Sequence, residues 1–155
     1  MTYEILKFLH VIGATVLLGT GSGIAFFMIM SIRSRDPAQI AHVASIVVIA
    51  DTLFTATAAI VQPITGLALA WTVGWPLLSG WVALSVLLYV VVGVCWLPVV
   101  AIQIKMRNLA QGALTTDTEL PPQFWQLYRI WLMLGFPAFI SVLAIVWLML
   151  TKPSF

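Results

Sequence analysis

The chain has 155 residues, of which 62% are hydrophobic and 8% are charged, and its formal net charge is +2. A water-soluble domain carries about 25% charged residues, so this composition excludes an ordinary soluble globular protein. The few basic residues lie in loops, where orientation signals and lipid headgroup contacts explain them better than nucleic-acid binding does. The length fits a single membrane domain that covers residues 1–155.

Four apolar segments follow one another along the chain, and each reaches the roughly 20 residues that a membrane-spanning helix needs. None alternates apolar and polar residues as barrel strands do, and a helix satisfies its own backbone hydrogen bonds in hydrocarbon. The sequence therefore predicts an all-α, polytopic membrane four-helix bundle. The predicted helices cover residues 5–32, 44–73, 81–104 and 128–151, and residues 105–126 form the predicted loop between the last two.

Lys and Arg are distributed unequally between the two sides of the predicted bundle. The first and third loops share one side, and the second loop, on the opposite side, has no charge. Loops on the cytoplasmic side are enriched in Lys and Arg, so we expect both termini to lie on the non-cytoplasmic side. The basic residues of the first and third loops are Arg33, Arg35, Lys105 and Arg107.

His10 lies about two turns inside the first predicted helix and has small residues on its own face. Ionisable groups are costly in hydrocarbon, so each one is a functional hypothesis. Small neighbours leave space for a flat cofactor, which makes His10 a candidate axial ligand of haem iron or of another metal, or a candidate proton-transfer group. A histidine that hydrogen-bonds to another helix, with the spacing of Gly19 and Gly23 serving helix packing, explains the same pattern.

Three further residues complete the predicted cofactor site. Gln62 and Tyr89 lie in the second and third predicted helices at a depth that matches His10. Lys7 lies one turn nearer the surface, where its ammonium group could meet a haem propionate. The cofactor predicted for this site is haem b, and a bundle without a cofactor is the alternative.

Asp51 lies about two turns into the second predicted helix, and no Lys or Arg lies within any of the spans to pair with it. At helical spacing the same face carries Thr55, Gln62 and Gly66. A small and polar stripe on an apolar helix favours a position in the bundle interior. Asp51 and Thr55 are therefore predicted to form a proton relay or ligand-lining wall, or an interhelical hydrogen bond that locks the bundle.

Several short motifs resemble two related bacterial families. The opening Leu6-Lys7-Phe8-Leu9-His10-Val11-Ile12 resembles the first helix of haem-dependent membrane protoporphyrinogen oxidases and of copper-resistance-D-like membrane proteins. The segments Gln62-Pro63-Ile64-Thr65-Gly66 and Lys152-Pro153-Ser154-Phe155 are similar to parts of the oxidases' second and last helices. As a whole, the chain resembles a bacterial four-helix family described as predicted integral membrane proteins of unknown function.

This resemblance implies a protein of the bacterial cytoplasmic membrane and keeps b-type haem at His10 open. In the oxidases the first-helix histidine acts together with a lysine early in the third helix. Ser85 lies near that position in this chain. The departure argues against protoporphyrinogen oxidation, so we expect a binding protein rather than a stand-alone enzyme.

Three functions remain open from the sequence. The leading hypothesis is a bundle that holds haem, or couples to a redox partner, through His10. The second is an accessory or oligomer-forming subunit without a cofactor. The third is a proton-coupled transporter that uses Asp51 and that, with only four helices, would need to form a dimer. The expected partners are the lipid bilayer and either a second copy of the chain or a membrane redox protein.

Overall fold

The computed structural model describes residues 2–78 and 80–154. These residues form four long helices and contain no strand. The helices are α1 (Thr2–Ser34), α2 (Pro37–Val73), α3 (Gly80–Thr115) and α4 (Pro122–Thr151). Each is long and apolar enough to cross a membrane. The predicted all-α architecture, with four helices able to span a membrane, is therefore confirmed.

The helices extend beyond the predicted apolar segments. α2 begins at Pro37 rather than residue 44, α3 continues to Thr115 rather than residue 104, and α4 begins at Pro122 rather than residue 128. Most of the predicted loop over residues 105–126 is consequently helical. The extensions pack against one another in the bundle: Ile40, Met106 and Phe124, three of the four largest fully buried side chains, lie in them. Hydropathy marks the part of a helix that lies in hydrocarbon, whereas here packing between helices maintains the helix beyond it.

The antiparallel helices give the bundle two different ends. The α1–α2 and α3–α4 connections lie at what we call the loop end, and both chain termini lie with the α2–α3 connection at the terminal end. At the loop end, Asp36 caps α2 by accepting a 2.9 Å hydrogen bond from the Ala38 backbone N–H. At the terminal end, α2 stops at Gly74, whose φ of 78° suits glycine. Which end faces the cytoplasm stays a prediction.

α2 contains one π-helical turn, Asp51–Thr55, between two α-helical halves. The backbone N–H of Ala56 bonds to the carbonyl oxygen of Asp51, five residues earlier. Such a turn accommodates one surplus residue, and π turns are frequent at functional sites. The surplus residue rotates the two halves of α2 relative to each other, so their side chains can face different neighbours.

The apolar core lies in the loop-end half of the bundle. Here α2 packs against both α1 and α3, whereas its terminal-end half packs mainly against α1. The α3–α4 interface is the most extensive in the molecule, and α1 and α4 touch much less. The loop-end half is therefore closed by packed apolar side chains, and the terminal-end half is looser. The largest fully buried side chains are Phe124, Met28, Ile40 and Met106.

Large apolar side chains also cover the outside of the bundle. Leu97 is 66% exposed and Met133 is 74% exposed, and many other Leu, Ile, Val and Phe residues are similar. Soluble monomers rarely expose contiguous apolar surface of this extent. Lipid tails are the environment that this surface requires.

Two buried polar clusters as the candidate functional site

The first cluster, here called the His10 cluster, joins α1 to the terminal-end half of α2. It consists of His10, Gly13, Gln62, Thr65 and Gly66. The Nδ1 atom of His10 lies 2.8 Å from the hydroxyl of Thr65. In the orientation that satisfies its neighbours, the Gln62 amide nitrogen lies 3.2 Å from the same Nδ1. The other ring nitrogen, Nε2, has no hydrogen-bond partner among the described residues.

Gln62 also binds the backbone of the neighbouring helix. Its amide nitrogen donates to the carbonyl oxygen of His10 at 2.9 Å, and its amide oxygen accepts from the N–H of Ala14 at 3.1 Å. Both backbone groups belong to one turn of α1. A side chain of α2 is thereby fastened to α1 through three hydrogen bonds.

Two glycines make this approach possible. A Cβ on Gly13 would lie 2.8 Å from the Gln62 amide, and a Cβ on Gly66 would lie 3.1 Å from Cε1 of His10. Each helix thus provides a glycine opposite the polar side chain of the other. The small residues around His10, predicted to leave room for a flat cofactor, are in contact with protein side chains.

Two of the predicted members of this site lie elsewhere. The Lys7 ammonium lies 5.9 Å from the centre of the Tyr3 ring on its own helix. The Tyr89 hydroxyl donates to the backbone carbonyl of Ala59 and does not reach His10. The structure therefore brings Gln62 and the unpredicted Thr65 to His10. No group of three or more His, Cys, Asp or Glu side chains that could hold a metal occurs in the described part of the chain.

The second cluster, here called the Asp51 cluster, joins α2 to α3 and α4. It consists of Asp51, Thr55, Trp96, Gln103 and Trp131. The indole N–H of Trp96 donates to Oδ1 of Asp51 at 3.2 Å. With its amide oriented to satisfy both neighbours, Gln103 donates to Oδ2 of Asp51 at 3.0 Å and accepts from the indole N–H of Trp131 at 3.2 Å. Asp51 and Gln103 are 4% and 2% exposed.

The hydrogen bonds of this cluster all run in one direction. The Trp131 N–H points to Gln103, Gln103 points to Asp51, and Trp96 points to Asp51 from another side. Indole N–H groups can only donate. Asp51 is therefore the acceptor at the end of both series of hydrogen bonds. The cluster offers donors to the carboxyl group and no cation.

The Thr55 hydroxyl is the buried polar side-chain atom that has no hydrogen-bond partner among the described residues. Thr55 lies four residues after Asp51 in the π turn, and its exposed fraction is 7%. Most buried hydroxyl groups in proteins are hydrogen-bonded, so an unpaired one requires an explanation. It is available to a group that arrives at the Asp51 carboxyl group.

The π turn corrects the predicted grouping of side chains on α2. In an uninterrupted α-helix, Asp51 and Gln62 would point within about 20° of each other at about 100° per residue. The surplus residue rotates the Gln62 side chain around the axis of α2 by roughly a quarter of a turn relative to Asp51. Gln62 accordingly faces α1, whereas Asp51 faces α3 and α4.

Two tryptophans of the Asp51 cluster were missed by the sequence reasoning. Trp131 is 5% exposed and hydrogen-bonded in the interior. Trp96 donates to Asp51 from α3. Tryptophan counts as apolar in a hydropathy pattern, although its N–H usually finds a partner when it is buried. That N–H is the signal that would have identified both.

The glycines predicted to pack helices, Gly19 and Gly23, have no neighbouring atom within 4 Å of a Cβ placed on them. Gly23 lines a shallow apolar groove of about 430 Å³ between α1 and α2. Close packing inside the chain thus uses Gly13 and Gly66 instead. An association of two chains through Gly19 and Gly23 stays a prediction.

Comparison with known proteins identifies one family. Residues 4–153 match the family model described as "Predicted integral membrane protein (DUF2269)". Searches of curated proteins and of solved structures found no match to this chain. The matched description agrees with the integral membrane family that the whole sequence resembled. The resemblance to the oxidases and to the copper-resistance-D-like proteins stays a prediction.

Proposed function

This chain belongs to the DUF2269 family of predicted integral membrane proteins, and we propose that it is a proton-coupled transport subunit in which Asp51 binds and releases the proton. One observation carries the proposal. A buried carboxyl group lies deep in the span, receives hydrogen bonds from two side chains of α3, and has no cation partner among the described residues.

The depth of Asp51 follows from the helix register. Lys7 and Arg33 are about 39 Å apart along α1 at 1.5 Å per residue, so residues near 20 lie at the bilayer midplane. The pairing of His10 with Thr65 aligns α1 with antiparallel α2 and puts Asp51 opposite Ile24. Asp51 therefore lies within about 6 Å of the midplane. This is deeper than the sequence predicted, because α2 begins at Pro37.

The carboxyl group needs neutralisation at this depth. An isolated carboxylate in hydrocarbon is strongly destabilised, and neutral hydrogen-bond donors replace only part of its hydration. A proton from water that binds one carboxylate oxygen removes the charge without any counter-ion. The new O–H then requires an acceptor, and the unpaired Thr55 hydroxyl is the nearby group that is free to accept.

The surroundings of Asp51 differ towards the two ends of the molecule. Towards the terminal end the bundle is looser, and the Tyr89 hydroxyl bonds to the carbonyl oxygen of Ala59, about two turns beyond Asp51 along α2. Towards the loop end, the fully buried Met106 and Phe124 belong to the closed apolar core. This conformation therefore supports proton access from the terminal end. Release at the loop end would require the core around α2 to rearrange, and the π turn is the place where α2 is least regular.

Infrared spectroscopy during a pH titration of the purified protein tests the protonation step. The chain has five acidic residues, and only Asp51 is shielded from water among those in the described part. We expect a carboxylic-acid C=O band that exchanges slowly with deuterium and is absent in Asp51→Asn. Asp117→Asn is the matched control, because it removes an exposed carboxyl group and should leave the band unchanged.

Flux measurements test the coupling. In vesicles containing a pH-sensitive dye, the wild-type protein should acidify or alkalinise the lumen when an ion gradient is imposed, and Asp51→Asn should not. If Asp51→Asn folds normally and retains full proton flux, the proposal is wrong and the Asp51 cluster serves to lock the bundle.

Haem binding at His10 is a second candidate function. Histidines that bind metals donate their other ring N–H to an acceptor. With its proton on Nδ1, His10 would donate to the Thr65 hydroxyl 2.8 Å away in place of accepting from Gln62, and its Nε2 is without a partner in the described residues. This arrangement fits one axial iron ligand, and bound haem would supply redox chemistry. Protein purified with ample haem should then show a Soret band that His10→Ala abolishes. A colourless preparation would exclude this function.

A further inference from the structure

A cleft of about 920 Å³ opens at the loop end between the α1–α2 turn and the α3–α4 connection. Its lining contains charges of both signs, two from the end of α1 and two from the residues after α3. The charged lining residues are Arg33, Arg35, Asp117 and Glu119. None of them forms an ion pair within the described residues. Two cations and two anions thus share a cavity without neutralising each other.

The backbone holds two of these charged residues in defined positions. Arg35 has a φ of 58° and Asp117 a φ of 51°, in the left-handed region that side chains other than glycine rarely adopt. Hydrogen bonds flank both positions: the N–H of Arg35 bonds to Ile32, and the N–H of Thr118 bonds to Ala113. Strain of this kind persists where the surrounding structure fixes it, and it is frequent at ligand sites.

The depth of the cleft corresponds to the phosphate level of a bilayer. Arg33 lies about 20 Å from the midplane, which is half of the 40–45 Å that a bilayer spans with its headgroups. Trp125 and Tyr128 of α4 also line the cleft, and such aromatic rings prefer the headgroup region. Ile32 and Leu120 supply apolar lining towards the core.

We propose that this cleft binds the headgroup of a zwitterionic phospholipid that carries a phosphate and a primary ammonium group, such as phosphatidylethanolamine. The two arginines bind the phosphate, for which guanidinium groups are well suited. The two carboxylates accept hydrogen bonds from the ammonium group. A lipid that carries only a negative charge would satisfy the arginines and meet repulsion from the acidic side chains.

Native mass spectrometry of the detergent-purified protein tests this inference. Phosphatidylethanolamine, phosphatidylcholine and phosphatidylglycerol with identical acyl chains are added separately, and the bound fraction is measured against concentration. We expect phosphatidylethanolamine to bind about tenfold more tightly than phosphatidylglycerol, because its ammonium group adds charge-assisted hydrogen bonds. Phosphatidylcholine should bind more weakly than phosphatidylethanolamine, since its methylated ammonium has no N–H to donate.

Substitution of the two acidic residues and substitution of the two arginines should affect lipid binding differently. Asp117→Asn with Glu119→Gln should abolish the preference for phosphatidylethanolamine and strengthen binding of phosphatidylglycerol. Arg33→Gln with Arg35→Gln should weaken binding of both lipids about tenfold. The matched control, in residues outside the cleft lining, is Lys105→Gln with Arg107→Gln, which should change neither affinity.

Three results would overturn the proposal. The first is equal affinity of the wild-type protein for phosphatidylethanolamine and phosphatidylglycerol. The second is an unchanged preference in the variant without the two acidic side chains. The third is displacement of the lipid by an equal concentration of soluble phosphoethanolamine, which would identify a water-soluble phosphoamine as the ligand.

Discussion

The His10 cluster and the Asp51 cluster are both buried in apolar surroundings, yet they differ in how completely they satisfy their polar groups. In the His10 cluster, Gln62 reaches His10 and the backbone of α1 at the same time, and glycines on both helices allow close contact. The Asp51 cluster joins three helices, contains a carboxyl group, and leaves the Thr55 hydroxyl unpaired. The His10 cluster therefore holds α1 and α2 together, whereas the Asp51 cluster has a hydroxyl group that is available to a further ligand such as a proton on Asp51.

This difference shows that burial of an ionisable side chain does not by itself indicate function. His10 was the leading candidate from the sequence, but its neighbours fill the space beside it. Asp51 had the weaker functional hypothesis, and its surroundings offer a directed set of donors and an unused acceptor. Substitutions in the two clusters can distinguish attachment of the helices to each other from proton binding at Asp51. The expected loss of stability decreases from Gly13→Leu to Thr55→Val.

The largest loss is expected for Gly13→Leu in the His10 cluster. A Cβ at this position would lie 2.8 Å from the Gln62 amide, and overpacking of a close contact costs about 3 kcal/mol at the upper end of its usual range. Thermal unfolding in detergent measures the change. Gly21→Leu on the same helix is the control, since no atom lies within 4 Å of its Cβ position. Equal melting temperatures for the two variants would show that the interlocked glycines do not hold α1 against α2.

Gln103→Leu in the Asp51 cluster should cause the next largest loss. It leaves the Trp131 indole N–H and one oxygen of Asp51 unpaired, at a cost of about 2 kcal/mol for a buried unsatisfied group. The expected effect is a lower unfolding midpoint together with a shift of the Asp51 infrared band. Gln111→Leu is the control, because Gln111 bonds only to the Ser45 hydroxyl on an exposed surface.

Gln62→Leu should cost less, at about 1 kcal/mol, as is usual for interhelical hydrogen bonds in membranes. The two backbone groups that Gln62 binds, the carbonyl of His10 and the N–H of Ala14, remain partners within α1. Unfolding in detergent measures the loss, and proton flux should persist. Abolition of flux by this variant would link the two clusters functionally and contradict their separation.

Thr55→Val should have the smallest effect on stability, within about 0.5 kcal/mol, because it replaces an unpaired hydroxyl with a methyl group of similar size. We expect proton flux to fall nevertheless, since the protonated Asp51 loses its acceptor. Thr52→Val is the control, as Thr52 is exposed and bonds to the carbonyl of Val48 in its own helix. Undiminished flux in Thr55→Val would exclude Thr55 from the proton site.

The sequence predicted the architecture because lipid imposes a simple rule on composition. Four apolar segments of sufficient length had to become four spanning helices, and the structure agrees. The helix ends were less predictable, since the segment from Lys105 to Thr115 mixes polar and apolar residues and is still helical. Hydropathy does not register a helix once it has left the hydrocarbon.

The site was predicted only in part, for a reason located in α2. Three- and four-residue spacing put Asp51, Thr55 and Gln62 on one face, and this holds only for an uninterrupted α-helix. The π turn at Asp51–Thr55 divides that face between two neighbours. Nothing in the residue pattern marks the surplus residue, and the neighbours of the turn come from distant parts of the sequence: α1 packs against it and α3 donates two hydrogen bonds to Asp51.

The surplus residue also sets a constraint on how this chain can change over evolution. The number of residues between Asp51 and Gln62 fixes the angle between these two side chains around α2, and each of them belongs to one of the two clusters. Loss or gain of a single residue there would turn one end by about 100° and leave a polar side chain facing lipid. The same change among the exposed residues 76–78 of the α2–α3 connection would turn neither cluster, so length should be far more strictly maintained between Asp51 and Gln62 than in this connection.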